Sequence, residues 1–203
     1  PPALLSRLAG SGRAVASASA QPSRVEGYHV VASVAVSEDA ACERLEQLGY
    51  ELVAPPWSEL EGDAFEAGMA IAAALQRRLQ RSQGAVAFVV GGETTVRLPE
   101  RPGDGGRNQH LAAVLAAALA GESGFACMVG GSDGRDGTSA AAGGLIDGST
   151  AERAREAGYD LRAALTAFDT GRALAAAGDA ICTGPTGTNV GDVLVATICT
   201  PRR

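Results

Sequence analysis

The chain has 203 residues, 46% of them hydrophobic, 20% charged and 4% aromatic, with a net charge of −6. At roughly 150 residues per domain this is one large domain or one and a half, able to bury about 70% of its unfolded surface without disulfides or a structural metal. The apolar content and modest charge argue against disorder, the lack of an 18-residue uncharged apolar run against a membrane-spanning helix, and the acidic balance against a nucleic-acid footprint.

Residues 1–27 open Pro-Pro without an initiator methionine and continue as a polar, alanine-rich stretch, which reads as the remnant of a truncation. Residues 28–36 are β-branched and apolar and predict a buried strand. Ser37 then suits an N-cap, and Ala41, Leu45 and Leu48 would share one helix face before Gly49. A short strand over 51–54 ends at Pro55-Pro56, and a long helix over 63–81 carries Phe65, Met69, Ala72, Leu75 and Leu79 at helical spacing. Residues 85–90 predict a buried strand, 94–98 a second strand turning away, and 108–120 a helix. A strand over 125–129 is followed by a glycine-rich stretch, 133–147, with a short helix over 138–142. Two or three helices between 150 and 177, a short strand at 180–182 and a last strand over 193–199 complete the chain. Alternating strands and helices indicate an α/β layered fold with a mostly parallel sheet and flanking helices. The expected divisions are 1–27, an α/β segment over 28–84, and a domain over 85–203.

The chain contains no lysine, which excludes a Walker-type phosphate loop and a Schiff base within it. Cys127, Cys182 and Cys199 sit in apolar runs and read as buried thiols of a reducing compartment, and with Cys42 they form no metal-binding spacing. His29 reads as a core side chain in a strand, Trp57 as a packing anchor, and His110 lies close to a candidate ligand corner.

Four glycine-rich corners carry the candidate chemistry, three of them directly after predicted strands: 91–94, 105–109, 131–137 and 184–189. Ligands of open α/β sheets bind beyond the strands' carboxyl ends, where glycines let the backbone approach an anion. Gly106-Arg107-Asn108 places an arginine fork and an amide at a helix start, where an exposed arginine with an asparagine cap is the equally simple alternative. Asp133 and Asp136 suit magnesium beside a phosphate, or else merely bond backbone within their turn. Any one corner alone could be an ordinary turn.

In this order and spacing the motifs Gly-Gly-Glu-Thr-Thr-Val (91–96), Gly-Gly-Arg-Asn-Gln (105–109), Asp-Gly-Arg-Asp-Gly-Thr (133–138) and Thr-Gly-Pro-Thr-Gly-Thr-Asn-Val (183–190) with Asp192 resemble the C-terminal part of the glycerate 2-kinase family, the MOFRL domain. The resemblance implies ATP-dependent phosphorylation of D-glycerate to 2-phosphoglycerate with Mg2+, in a cleft completed by an N-terminal domain that carries the catalytic lysine. It implies that Arg107, Asp133 and Asp136 are catalytic, the two aspartates also holding the metal. Glu93, Thr94, Gly106, Asn108, Thr186, Thr188 and Asn189 would bind substrate or phosphate. The family often carries the name hydroxypyruvate reductase, yet no dinucleotide fingerprint follows a strand here. A non-catalytic module for a hydroxy acid or phosphate is the alternative. Departures from the family pattern are Val34 for asparagine, Asp63 for glutamate, His110 for glutamate and Ser132 for threonine. Expected partners are D-glycerate and the preceding domain, with homodimerisation left open, neither nucleic acid nor membrane engaged, and a cytoplasmic location. The chain alone is expected to be inactive, and Arg107 replaceable without loss of folding.

Overall fold

The computed structural model describes residues 30, 32–55, 57–81 and 84–200. The chain divides into two units, 1–31 and 32–203, and the helices and strands of the described residues all belong to the second. Tyr28, His29 and Val31, part of the first expected strand, lie outside the described residues.

Helix α1 (Val34–Gln47) takes up the end of that expected strand. Ser33, not Ser37, is the N-cap: its hydroxyl accepts from the Val36 N–H at 3.2 Å. Leu45 is buried, whereas Leu48, expected on the same face, is 56% exposed at the C-cap. Strand β1 (Glu51–Leu52) leads to α2 (Ala64–Arg81), whose first N–H groups are met by Asp63 Oδ1. The buried face of α2 runs through Ala64, Gly68, Ile71, Ala72 and Leu75, so Phe65 and Met69 point outward instead of into the core.

Strand β2 (Gly84–Gly92) feeds α3 (Arg107–Ala118), and β3 (Phe125–Gly131) follows. No strand forms over 94–98, where Thr95 makes only an isolated bridge to Asp63. The expected helix over 138–142 is absent as well, and 143–147 form strand β4 (Gly143–Asp147) despite their glycines. Gly143 and Gly144 sit there because backbone and Ala112 leave no room for side chains. Three short helices, α4 (Thr150–Glu156), α5 (Leu161–Ala167) and α6 (Thr170–Ala177), precede β5 (Ala180–Ile181) and β6 (Asp192–Thr200).

The six strands lie in the order β1-β2-β6-β3-β4-β5. The α/β layering is as expected, but the direction of the strands is not. Only β1 and β2 pair in parallel; β6 inserts antiparallel between β2 and β3, and β4 and β5 add antiparallel beyond β3. The crossovers through α2 and α3 do keep β1, β2 and β3 in one direction, as helical crossovers require. The last strand carries no such constraint and fills the gap between two parallel neighbours.

Alternation along the strands separates two cores. Val86, Phe88 and Val90 of β2 and Leu194, Ala196 and Ile198 of β6 face α2–α6, whereas Ala87 and Val89 face Leu45 of α1. Helix α3 lies centrally, with every residue from Asn108 to Ala116 buried. Of the cysteines only Cys127 is buried; Cys182 follows β5 and Cys199 falls on the outward face of β6, and both are exposed. Among the described residues no helix is long and apolar enough to cross a membrane, and no group of three His, Cys, Asp or Glu is placed to hold a metal.

Candidate functional site

The antiparallel insertion decides which chain ends meet. The carboxyl ends of β2 and β3 pair with the first residue of β6, so Gly92 and Gly131 both lie opposite Asp192. The loops after β2 and β3 and the loop before β6 therefore converge beside the start of α3. Together they enclose a cleft of about 480 Å3 lined by Glu93, Gly106, Arg107, Asn108, Asp133 and Asp136, with Arg135, Asn189 and Asp192.

Arg107 is the hub. Its Nε donates to Asp192 Oδ2 at 2.6 Å and Nη2 to Asp192 Oδ1 at 3.2 Å, a bidentate fork, while Nη1 lies 2.6 Å from Glu93 Oε1. Asp192 is 3% exposed, so its charge depends on this cation. The same hydrogen bonds raise the guanidinium above its ordinary pKa, against the opposing effect of burial. Arg107 is thus anchored within the protein, with N–H groups on Nη1 and Nη2 left for a ligand. Its expected dispensability for folding does not fit this anchoring.

Asp136 serves the same corner from below. Its Oδ1 accepts from the Asn108 N–H at 3.1 Å and its Oδ2 from the Gln109 N–H at 2.7 Å, which caps the helix with a carboxylate. Gly106, the N-cap residue, has to be glycine because a Cβ there would lie 2.4 Å from Asp136. Burial nevertheless raises the Asp136 carboxyl to about 6, against the two N–H bonds. Asp133 differs: its Oδ1 accepts only from the Arg135 N–H, at 3.0 Å, and it stands half-buried in the cleft wall.

The two outer loops are tied to each other. Thr186 Oγ1 donates to the Ser132 carbonyl at 2.5 Å, the Thr186 N–H to the Asp133 carbonyl at 3.2 Å, and the Val190 N–H to Ser132 Oγ at 2.8 Å. Thr186 therefore holds loop to loop, and Thr188 bonds Thr186 within its own loop; neither lines the cleft, whereas Asn189 does. Thr94 also lies off the cleft, 2% exposed, its hydroxyl without a partner among the described residues. Asn108 lines the cleft with its Oδ1 buried and unpartnered.

Two contributors are not legible as site residues in the sequence. Asp192 is named in the sequence only as the close of the last motif, and an acid heading an apolar strand, where it needs a cation, is the physical signal of its role. Glu38, from α1, accepts the Gly91 N–H at 2.6 Å and fixes the end of β2. Beside it Val34 packs so closely on Gly91 that a Cβ there would lie 2.2 Å from Val34 Cγ2. No signal in the sequence pairs these distant positions.

This set of motif corners around one cleft is also where similarity to known proteins concentrates: the MOFRL family profile matches residues 86–192. The chain belongs to the MOFRL family. A glycerate 2-kinase of Pyrococcus horikoshii is 34% identical over 176 residues, 85% of this chain and 40% of that protein. An Agrobacterium vitis relative that carries a hydroxypyruvate reductase name is 44% identical over 138 residues, 66% of this chain and 32% of that protein. The crystal structure of Thermotoga maritima glycerate kinase superposes with a TM-score of 0.77 at 36% identity, covering 84% of this chain and 41% of that one. The chain thus spans about two fifths of the length of the glycerate kinases it resembles. The MOFRL match takes in β2, α3, β3 and β4 and ends on Asp192, so the Arg107–Asp192 pair lies within it.

Proposed function

We propose that this MOFRL chain is the C-terminal part of a glycerate 2-kinase, forming one wall of a cleft in which the γ-phosphoryl group of ATP passes to the 2-hydroxyl of D-glycerate. The observation that carries the reading is Arg107: an arginine at a helix start, held by Asp192 and Glu93, with donors left facing a cleft that four glycine-rich corners enclose. Phosphoryl transfer asks a protein chiefly for positioning and charge neutralisation. Arg107 would steady the glycerate carboxylate or the moving phosphoryl group, and Glu93 with Asn108 would orient hydroxyls. Thr186 and Thr188 would act by holding the Asn189 loop in place, and Thr94 from behind the wall.

The metal reading narrows to one aspartate. Both oxygens of Asp136 accept backbone N–H groups, whereas Asp133 Oδ2 is in no hydrogen bond among the described residues. Magnesium takes one or two carboxylates and completes its shell with phosphate oxygens and water. Asp133 therefore suits an ion that enters with the nucleotide. Such an ion would supply neutralisation of phosphate charge.

Four carboxylates line the cleft (Glu93, Asp133, Asp136 and Asp192) against two cations, Arg107 and Arg135. An anionic substrate needs more positive charge than this wall offers, which supports both a metal and a basic group from the preceding domain. The test is a coupled assay for ADP on this chain and on a longer polypeptide that includes that domain. D-glycerate- and Mg2+-dependent ADP release from the longer protein alone is expected. Equal turnover by both would remove the split-site reading, and no turnover by either would remove the kinase.

A further inference from the structure

The turn between α5 and α6 departs from local rules at two adjacent residues. Phe168 is the one non-glycine residue at positive φ among the described residues (φ 57°), in the left-handed region where a bulky side chain is seldom found. Asp169 is the N-cap residue of α6, yet its side chain accepts nothing from that helix. Its backbone (φ −111°, ψ 34°) is outside the extended region that a capping side chain uses. Such strain persists where the surrounding structure imposes it, and it concentrates at functional sites.

Both departures serve contacts with the start of α3 and the loop before it. Asp169 Oδ1 accepts the Asp104 N–H at 2.8 Å, the Ala167 carbonyl accepts the Gly103 N–H at 3.0 Å, and the Gly171 N–H donates to the Asp104 carbonyl at 2.8 Å. Gly103 lies so close that a Cβ there would stand 2.5 Å from Asp169 Cβ. Beyond Arg107, the Phe168 ring lies flat on His110, with centroids 4.2 Å apart and planes 11° apart. The turn therefore grips the chain before Arg107, at Gly103 and Asp104, and after it, at His110. Little else fixes the loop that leads there. No residue from Val96 to Pro102 is in a hydrogen bond among the described residues. The turn after Asp136 reaches the loop by long bonds only, from Thr138 to Asp104 Oδ1 at 3.3 Å and to the Gly105 carbonyl at 3.4 and 3.5 Å.

We propose that Asp169 is a positioning residue for Arg107: acting through Asp104, and together with Phe168 acting through His110, it holds the arginine where its free N–H groups face the cleft. The proposal rests on the kinase reading only for what Arg107 meets there. A guanidinium grips an anion through a planar fork, so its use depends on orientation as well as charge. Asp192 and Glu93 fix the fork itself, and the α5–α6 turn fixes the backbone from which it springs. A displacement of about 1 Å in such a group lowers a rate by as much as about a hundredfold. Asp169 thereby belongs to the site although, of this turn, Phe168 alone lines the cleft.

Hydrogen exchange followed by NMR on this chain tests the proposal without a ligand. In the unmodified chain the Asp104 amide should exchange far more slowly than that of Arg101, which has no acceptor; equal rates overturn the proposal with no variant needed. Asp169→Ala should speed exchange of the Asp104 amide and of Arg107 Nε–H about tenfold and leave the Leu194 and Ala196 amides of β6 unchanged. Asp169→Asn keeps the Oδ1 acceptor and gives up only a surface contact to Arg172 at 3.6 Å, so it should retain the native protection. Phe168→Leu removes the stack on His110 and should free Arg107 Nε–H while the Asp104 amide stays protected. In the longer polypeptide Asp169→Ala should lower kcat/KM for D-glycerate about tenfold or more, and Asp169→Asn should restore it. Exchange that rises uniformly, β6 included, marks a destabilised fold and overturns the proposal, as does an Arg107 Nε–H that Asp169→Ala leaves protected. Protection unchanged in Phe168→Leu overturns the second grip. Arg107 freed in the ligand-free chain, with no turnover by the longer polypeptide, supports the positioning role and counts against the kinase.

Discussion

Arg107 and Asp192 form a unit in which each side chain explains the other. Asp192 is almost wholly buried, and removing its partner leaves a carboxylate that water cannot reach. Because Arg107 itself is a third exposed, the cost belongs below the range for fully buried pairs: Arg107→Ala should lower the unfolding free energy by about 2–3 kcal/mol. Asp192→Asn in the same chain should restore part of that, and strictly additive losses in denaturant melts would show that the pair is not coupled. Arg107→Lys keeps the charge but not the fork, so in the longer enzyme it should also reduce kcat/KM by about 2–4 kcal/mol of transition-state stabilisation. Asp136 gives the protein a pH dependence. Its carboxyl lies at about 6 against an ordinary 3.8, so the folded protein holds this proton more tightly than the unfolded chain does. Its contribution to stability is then fully present below about pH 4 and lost as pH rises to about 6, by at most about 3 kcal/mol. The stability difference between the native protein and Asp136→Ala, followed across pH 4 to 7, should show that decline. A carboxyl carbon that titrates near pH 4 by NMR would refute it.

At the scale of elements, the site depends on how deeply α3 is buried. Its alanines let neighbouring elements approach closely, and α2 crosses it at Gly68, where a Cβ would lie 2.7 Å from Val114 Cγ1. Alanine in place of a helix-interior glycine ordinarily gains up to about 1 kcal/mol. Here the overpacking penalty of about 1–3 kcal/mol should win, so Gly68→Ala is expected to lower the melting temperature. Val114→Ala added to it should recover part of the loss, because it removes the nearest of the clashing atoms, Val114 Cγ1, although Val114 Cβ stays 2.9 Å from the new methyl. A melting temperature that rises on Gly68→Ala alone would mean that α2 and α3 separate freely at this crossing. Any such separation would reach the cleft, since the first turn of α3 holds Arg107.

For the molecule as a whole, charge is the governing quantity. The net charge is −6, and the cleft wall repeats that excess locally, with carboxylates outnumbering arginines. ATP binding to this chain should therefore depend strongly on a divalent cation, weakening about tenfold or more in calorimetric titrations when magnesium is chelated. ATP affinity indifferent to chelation would mean that Asp133 holds no ion and that the phosphates lie elsewhere.

What the sequence determined by itself was local: the alternation of apolar runs and amphipathic stretches, the helix beginning near Arg107, and the glycine-rich corners. Each is written within a few consecutive residues, in side-chain periodicity or in the steric needs of a turn. Periodicity failed where a short element lacks it, as at β4, whose glycines answer to a neighbouring strand and helix rather than to their own conformation. It also failed where burial contradicts apparent amphipathicity, as at Phe65 and Met69. The tertiary structure alone decided the direction of β6, because period-two alternation says which face of a strand is buried and nothing about the direction of its neighbours. That single decision brings Asp192 to Arg107 across 85 positions of sequence, and the turn after β3 brings Asp136 to Asn108 across 28. Carboxylate, guanidinium and helix end meet only because the sheet is closed in that order, so the candidate residues could be read in one dimension and their roles only in three.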